Sequence, residues 1–225
     1  MAEDSFVHVI TSVVPHAPNA EEQGNLRISR VRCIRKVGVL PLSFSLASSI
    51  HARKIMKKQD IDVICGHQWE SIIFPFLMEI PLVLRANITA IGVWEFIKSV
   101  NISAFQRLMY RSAVYLDRQV CRQAAKIAAV SAFLANELNK YGIEDEKIKV
   151  VLNGVNSERF NPKERGEEVR KEYALEDRKV LLYVGRISPQ KGIEYLLEAL
   201  PAVVQEHRDI KLLVVGGPTY NIDSS

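Results

Sequence analysis

Two cations follow an apolar segment at a spacing that suits the binding of phosphate groups. The run Val180 to Val184 predicts a strand buried on both faces, and apolar residues recur at helical spacing from 193 to 200. Gly185, Arg186 and Lys191 lie in the short connection between the two. Open α/β sheets bind ligands at the carboxyl ends of their strands, and a helix N-terminus presents unpaired N–H groups. Arg186 and Lys191 could therefore hold a diphosphate, although many strand–turn–helix segments with a few basic residues bind nothing.

Three other segments place a polar residue directly after a predicted strand. Residues 62–67, DVICGH, predict a strand that ends at His67. Residues 128–138, AAVSAFLANEL, predict a strand, a serine and a helix. Residues 148–160, IKVVLNGVNSERF, predict a strand that leads into an Asn-Gly pair and a turn. Each of these segments is a weak signal by itself.

In this order along the chain, the four segments resemble the GT-4-type retaining glycosyltransferases, which have the two-domain GT-B fold. The spacing G-R-x-x-x-x-K-G before I-x-x-L-L-x-A-L is similar to the donor-binding element of that family. The resemblance implies that Gly185, Arg186, Lys191 and Gly154 bind a nucleotide-sugar donor, and that His67 faces the acceptor. It also implies catalytic roles for Arg186, Lys191 and His67. It implies no metal and no other cofactor, because the cations take the place of a divalent metal.

The chemistry implied is the departure of a diphosphate from a sugar. As that bond lengthens, fixed cations and helix-end N–H groups stabilise the growing negative charge more than they stabilise the ground state. His67 would orient an acceptor hydroxyl or support the developing charge; the alternative is a histidine held by hydrogen bonds at a strand end. The D-x-D at 60–62 matches a metal signature of a different fold, but it leads into a buried strand, and we interpret it as a polar strand entry.

Two further residues are candidates for the acceptor side. Trp69, two positions after His67, offers a flat apolar face for stacking on a sugar, and it could equally be a core residue. The family often has T-x-H after the strand at 81–84, whereas this chain has R-A-N at 85–87. Arg85 either contacts a charged acceptor or is a surface cation.

The rest of the chain predicts the alternating strands and helices that position these residues. The alternation is typical of parallel sheets covered on both faces, in an α/β fold that is GT-B-like. The predicted strands are 7–11, 26–31, 63–65, 82–84, 127–130, 150–152, 180–184 and 210–215. The predicted helices are 46–58, 69–78, 103–125, 132–141, 164–174 and 193–200.

A segment rich in Asn, Gly, Ser and Pro, residues 153–162, indicates a domain boundary. We expect residues 1–157 to form an acceptor-side Rossmann-like domain with a nearly complete doubly wound parallel sheet, lacking its first strand and Gly-rich loop. Residues 158–225 would be the first part of a second Rossmann-like domain that binds the donor, since they hold only two strands. The expectation is a chain truncated at both ends, whose open sheet edge favours a homo-oligomer.

The formal net charge of +4 equals the charge of one segment, Ile91 to Lys126. In that segment four arginines share one helical stripe and four apolar residues share another. We favour an ordinary surface helix with a solvated basic face; the alternative is a peripheral contact with an anionic membrane, which would suit a lipid-linked acceptor. A nucleic-acid partner is not expected, because aromatic residues are not interleaved with the basic stripe. The arginines are Arg107, Arg111, Arg118 and Arg122, and the apolar residues are Phe105, Leu108, Leu116 and Val120.

The composition agrees with a globular protein of the cytoplasm. With 48% hydrophobic residues over 225 positions, the chain can bury a full core. No apolar run approaches the roughly 20 residues of a membrane span, and the N-terminus does not resemble a signal peptide. Three scattered cysteines, Cys33, Cys65 and Cys121, lack metal-binding spacing and are expected to be reduced thiols.

The expected function is the transfer of a hexose with retention, from a nucleotide-sugar donor to a glycan or lipid-linked acceptor in polysaccharide biosynthesis, with little activity from this chain alone. The alternative is a catalytically inactive GT-B-like protein that binds nucleotide sugars or another partner. A sugar-nucleotide epimerase shares the architecture, but the acidic and histidine groups that it needs in a donor cleft cannot be identified. An NAD enzyme is not supported, because no G-x-G-x-x-G follows an early strand.

Overall fold

The computed structural model describes residues 5–34, 40–67, 69–71, 73–74, 79–90, 92–93, 103–163, 166–188 and 191–217. At positions 40, 41 and 69 it describes only the backbone. Contacts between Cα atoms divide the chain into two compact units, Met1–Gly154 and Val155–Ser225, called unit 1 and unit 2 below.

Unit 1 alternates strands and helices after an opening group of three strands. The strands are β1 (Val7–Ser12), β2 (Ala20–Gln23), β3 (Leu26–Val31), β4 (Ile64–His67), β5 (Leu82–Ala86), β6 (Lys126–Ala129) and β7 (Ile148–Val150). The helices are α1 (Leu40–Met56), α2 (Ala104–Gln123) and α3 (Ala132–Lys140). Short 3₁₀ turns lie at Trp69–Ser71 and Asp145–Lys147.

A parallel pair and a hairpin form the first sheet, in the strand order β1-β3-β2. β1 runs parallel to β3, which confirms the predicted strands 7–11 and 26–31. The sequence does not predict β2, because its residues, AEEQ, show no apolar alternation. Its partner defines it instead: β2 pairs antiparallel with β3 through a two-residue turn in which Gly24 has a φ of 58°. Two Arg–Glu ion pairs cross the hairpin.

The second sheet, β4-β5-β6-β7, is parallel throughout. On one face Leu84 and Ile127 are fully buried, in a cluster that residues of α1, α2 and α3 also join. The register places Cys65, Ala128 and Lys149 on the opposite face, and none of them is buried. The residues of the described helices that join this core thus cover one face of the sheet.

The helices of unit 1 differ from the prediction mainly at their ends. α1 begins at Leu40 instead of 46, since a proline at position 41 is tolerated in the first helical turn. α2 follows the prediction and begins after Ser103, which forms a reciprocal capping box with Gln106. Of the predicted helix 69–78, the described residues include the 3₁₀ turn Trp69–Ser71 and Phe74, which is helical, and positions 72 and 75–78 lie outside the description.

Unit 2 contains α4 (Glu167–Glu172), β8 (Lys179–Val184), α5 (Ile193–Glu206) and β9 (Ile210–Val215). β8 and β9 run parallel with Lys179 opposite Ile210 and Val184 opposite Val215. Leu182 is 60% exposed and Val184 is 70% exposed, so the prediction that this strand is buried on both faces is wrong for the described residues. The reason is that the described part of unit 2 forms a sheet of only two strands, which cannot enclose an apolar strand.

Candidate functional sites in the two units

The strands of the second sheet of unit 1 end at a common edge, because all four run in the same direction. β4 ends at His67 and β5 ends at Ala86, while Asn153 follows the end of β7. Open α/β sheets bind their ligands at this edge, outside the carboxyl ends of the strands. The topology of unit 1 therefore collects polar side chains from three strands at a position suited to a ligand.

Two hydrogen bonds connect the side chains at this edge. The amide Nδ2 of Asn87 lies 3.0 Å from Nδ1 of His67. The guanidinium of Arg85 donates a hydrogen bond to Oδ1 of Asn153, a residue 68 positions further along the chain. His67 and Arg85 are register partners on adjacent strands, so their side chains leave the sheet on the same face. The two predicted acceptor-side residues thus lie next to each other, and each is held by an asparagine.

The sequence did not mark Asn87 as a residue of the site. The sequence clue is that Asn87 lies two positions after Arg85, which is the spacing at which strand side chains recur on the same face. The partner of Asn87 depends on the register between β4 and β5, which the sequence does not supply. Asn153 was recognised only as part of a motif, and its bond to Arg85 gives it a structural role at this edge.

The backbone leading into His67 packs closely against the turn that follows. A Cβ atom on Gly66 would lie 2.0 Å from Oγ of Ser71, whose side chain is buried. The absence of a side chain at Gly66 therefore lets the 3₁₀ turn fold back against β4. The backbone of Trp69 belongs to this turn, while its side chain lies outside the described part of the structure.

A cavity of about 190 Å³ lies beside the same strand end, and His67 and Glu70 are among the residues that line it. Apolar side chains of β1, α1 and β4 supply most of the remaining lining. His8 also lines the cavity and is bonded through Nε2 to Oγ of Ser29 at 2.8 Å. Burial lowers the pKa of His8 below its ordinary value and so favours the neutral form of this histidine. The cavity thus combines an apolar wall with polar groups near His67.

In unit 2 the connection after β8 continues the pairing of the two strands beyond their ends. The N–H of Gly185 donates to the carbonyl of Val215 at 3.0 Å, and the N–H of Ile187 donates to the carbonyl of Gly217 at 2.9 Å. The hydroxyl of Tyr183 donates to the carbonyl of Arg186 at 2.8 Å. These bonds fix the backbone from which the first predicted cation extends.

Both predicted cations of unit 2 are exposed. Arg186 and Lys191 lie on the same connection, and the N–H of Lys191 donates to the carbonyl of Ser188 at 2.9 Å. Gly192 then takes a φ of 64° and is the N-cap residue of α5. The positively polarised end of a 14-residue helix therefore begins within two residues of Lys191.

Gly216 sets how closely the ends of β8 and β9 approach each other. A Cβ atom at Gly216 would lie 1.8 Å from the carbonyl oxygen of Gly185. Gly216→Ala is expected to separate the strand ends and destabilise unit 2 by about 1–3 kcal/mol. Amide hydrogen exchange in β8 and β9 measures this loss of stability. Gly217→Ala is the matched control, since a Cβ there meets nothing within 4 Å, and equal exchange in the two variants would contradict the argument.

The predicted site residues thus form two groups, one in each unit. His67 and Arg85 lie at the sheet edge of unit 1, and Gly185, Arg186 and Lys191 lie in the connection of unit 2. Gly154 is exposed, and a Cβ placed on it would meet nothing within 4 Å. Side-chain contacts within the described residues therefore do not require a glycine at that position.

The described residues supply neither a metal-binding cluster nor a membrane-spanning helix. They contain no group of three or more His, Cys, Asp or Glu side chains placed to hold a metal ion. None of their helices combines the length and the apolar character that crossing a membrane requires. The three cysteines, Cys33, Cys65 and Cys121, are not joined in disulfide bonds.

Sequence comparison decides the family. The sequence profile of Glycosyltransferase Family 4 matches residues 2–159, which is most of the chain. The chain belongs to glycosyltransferase family 4. A second profile, Glycosyl transferases group 1, matches residues 164–222 of this glycosyltransferase and so covers the connection that contains Arg186 and Lys191. The resemblance read from the four sequence segments is thereby confirmed.

A curated relative agrees with this assignment, and two solved structures share the fold. An uncharacterized glycosyltransferase of Methanocaldococcus jannaschii is 27% identical over 209 residues, which cover 88% of this chain and 51% of the relative. A sucrose-phosphate synthase from Thermosynechococcus elongatus superposes with a TM-score of 0.68 at 13% identity, over 93% of this chain and 60% of that one. The structure of Anabaena HepE in complex with UDP-glucose superposes with a TM-score of 0.58 at 20% identity, over 87% of this chain and 48% of that one.

These structural likenesses confirm the predicted fold class, GT-B-like α/β. The chain of this glycosyltransferase spans about half the length of the Methanocaldococcus relative.

Proposed function

We propose that this glycosyltransferase chain binds a nucleotide-sugar donor through unit 2 and a glycan or lipid-linked acceptor through unit 1, and that it serves the transfer of a hexose with retention. One observation carries the proposal: two exposed cations, Arg186 and Lys191, lie between the end of β8 and the start of α5. The proposal assigns the donor side to residues 158–225 and the acceptor side to residues 1–157.

The donor side suits a diphosphate for three physical reasons. Arg186 offers a planar guanidinium that can bond two phosphate oxygens at once, and Lys191 adds a second positive charge. The first turn of α5 adds unpaired backbone N–H groups. The leaving diphosphate becomes more negative as the sugar departs, so these groups stabilise the transition state more than the bound donor. The UDP-glucose in the HepE structure, which shares the fold, supports a nucleoside diphosphate as the ligand.

The acceptor side is proposed from the polar edge of unit 1. His67 and Arg85 are held there by asparagines, and the neighbouring cavity provides an apolar wall. A sugar hydroxyl could bond to His67, while Arg85 would contact an acceptor that carries a negative charge. Trp69 would stack on the sugar ring.

We also propose that α2 contacts an anionic membrane surface, from a location in the cytoplasm. The sequence favours an ordinary surface helix, but two of the four residues on its apolar stripe are largely exposed, Phe105 at 70% and Leu108 at 63%. Arg107 and Arg111 are exposed on the same helical turns. Apolar and basic side chains exposed together are typical of helices that lie on anionic lipid. A surface helix whose apolar stripe packs against the protein would expose only its basic face to solvent.

Binding to lipid vesicles tests this contact. The protein is expected to sediment with phosphatidylglycerol vesicles and to remain in solution with phosphatidylcholine vesicles. Phe105→Ser combined with Leu108→Ser should reduce the sedimented fraction several-fold, whereas Phe133→Ser, a change at an equally exposed phenylalanine of α3, should not. Equal sedimentation of all variants would contradict the proposal.

The exposed face of β8 in unit 2 supports self-association. Leu182 and Val184 leave apolar side chains in contact with solvent in the described sheet. We propose a homo-oligomer through this face, and we expect Leu182→Lys to convert it to a monomer in sedimentation velocity experiments. An unmodified protein that is monomeric at micromolar concentration would contradict the proposed homo-oligomer.

Titration with UDP, GDP, ADP and their glucose conjugates tests the proposed function. Saturable binding of one nucleotide family by calorimetry supports the donor side, and release of nucleoside diphosphate in the presence of sugar acceptors supports transfer. Binding without any release would favour the alternative function, a nucleotide-sugar binding protein without catalysis. Any release above that of a protein-free control counts as transfer, and binding is the primary measurement. No binding of any of the six compounds would contradict both functions.

A further inference from the structure

The contact between Asn87 and His67 determines which nitrogen of the histidine ring carries the proton. The amide Nδ2 of Asn87 is 3.0 Å from Nδ1 of His67, within the range of an ordinary hydrogen bond. An amide nitrogen can only donate a hydrogen bond, so Nδ1 must accept it through its lone pair. The neutral ring then holds its proton on Nε2, the nitrogen on the far side of the ring from Asn87.

The hydrogens of that amide oppose the other tautomer. A proton on Nδ1 would point at the amide NH₂ of Asn87, and the two would repel each other because both carry partial positive charge. The neighbouring cation, Arg85, is held by Asn153 after the end of β7, on the side of β5 that faces away from β4.

We propose that Asn87 is a positioning residue that fixes His67 in the Nε2–H tautomer, so that His67 presents a hydrogen-bond donor to the ligand and not a basic nitrogen. The inference rests on the proposed function for the identity of that ligand, a sugar or phosphate oxygen at the edge of unit 1. An Nε2–H group suits an oxygen that carries or develops negative charge. Removal of a proton from an acceptor hydroxyl must then be the task of another group.

The two asparagine–side-chain bonds explain why this chain has R-A-N at positions 85–87. Arg85 belongs to β5 and Asn87 follows the end of that strand, and each makes a different contact across the edge: Arg85 to Asn153, and Asn87 to His67. A residue at 87 that accepts a hydrogen bond would reverse the tautomer of His67, because the ring would then have to donate from Nδ1. Position 87 therefore controls what His67 can do chemically.

The test is ¹⁵N NMR of the histidine side chains, since the two ring nitrogens have different shifts with and without a proton. The chain has five histidines, and His67→Gln identifies the signals of His67 by their loss. In the unmodified protein at pH 8, the Nε2–H form is expected to predominate for His67. Asn87→Asp places a pure acceptor opposite Nδ1 and should reverse the pattern to Nδ1–H. Asn87→Leu, which can neither donate nor accept, should give a mixture of the two forms.

Asn136→Asp is the matched control, because it adds the same charge at an exposed position of α3 and should leave the His67 signals unchanged. An Nδ1–H form in the unmodified protein would overturn the proposal, and so would an unchanged tautomer in Asn87→Asp. The result for the tautomer is independent of the result for the proposed function. A confirmed tautomer without nucleotide binding would reject the function alone, and nucleotide binding with the wrong tautomer would reject this inference alone.

Discussion

Replacing Arg186 or Lys191 by alanine is expected to lower the affinity for a nucleoside diphosphate roughly 10- to 100-fold, as measured by calorimetric titration. A hydrogen bond to a charged group contributes about 1.5–3 kcal/mol, and about 1.4 kcal/mol corresponds to a tenfold change in affinity. The loss should be larger for Arg186, because a guanidinium can bond two phosphate oxygens while an ammonium acts as a single charge.

Lys179 provides the matched control, since it lies at the opposite end of the same strand, β8. Its ammonium lies 3.1 Å from a carboxylate oxygen of Asp209, and such a surface ion pair contributes little to stability. Lys179→Ala removes one positive charge from unit 2, as the test variants do, and should change nucleotide affinity less than twofold. An equal loss in all three variants would show that general charge, and not the connection after β8, attracts the nucleotide.

Asp117 should make unit 1 less stable as the pH rises from about 4 to about 6. The side chain is buried, and its Oδ2 accepts hydrogen bonds from the N–H of Ala90 at 2.9 Å and from the hydroxyl of Tyr141 at 3.2 Å. Its Oδ1 has no partner among the described residues. Burial raises the pKa of Asp117 from 3.8 to about 6, and the two hydrogen bonds oppose this only in part.

The direction of the effect follows from proton linkage. Between the unfolded and the folded pKa the native state binds more protons, so the contribution of Asp117 is fully present below pH 3.8 and is lost as the pH rises through about 6. The loss amounts to about 3 kcal/mol. Asp117→Asn removes the titration, so its free energy of unfolding, relative to the unmodified protein, should increase by about 2 kcal/mol from pH 4 to pH 7.

Urea unfolding followed by tryptophan fluorescence measures this difference in unit 1, because both tryptophans, Trp69 and Trp94, belong to it. Asp60→Asn is the control, since the carboxyl of Asp60 is exposed and its removal changes the net charge equally. If the free energy of unfolding changes equally with pH in Asp117→Asn and in the unmodified protein across this range, the account is contradicted.

Much of the fold could be predicted because it depends on local patterns. The apolar run at 210–215 and the apolar and basic stripes of 103–125 mark a strand and a helix that the structure contains at nearly the predicted bounds. The hairpin strand β2 could not be predicted, since three of its four residues are polar and only its pairing with β3 makes it a strand. An apolar run indicates burial but does not determine it, as the 70% exposure of Val184 shows.

The candidate site was likewise predictable in part. The ends of predicted strands located His67, Arg85 and Arg186, because strand ends follow from the sequence pattern and ligands bind at such ends. The contacts of those residues could not be predicted. The bond between Asn87 and His67 requires the exact register of β4 and β5, and the bond between Arg85 and Asn153 spans 68 positions. Sequence patterns therefore indicate where chemistry occurs, while register and packing determine which groups meet.

A titration of the ¹⁵N-labelled protein with UDP, GDP and ADP, followed by amide shifts, tests the central claim most directly. The claim is that the connection after β8 binds the diphosphate of the donor. For the nucleotide that binds, the account predicts saturable shifts at Gly185, Arg186, Lys191 and Gly192, with the amides of β7 and α3 unaffected. Saturable shifts confined to unit 1, or no saturable shift with any of the three nucleotides, would contradict it.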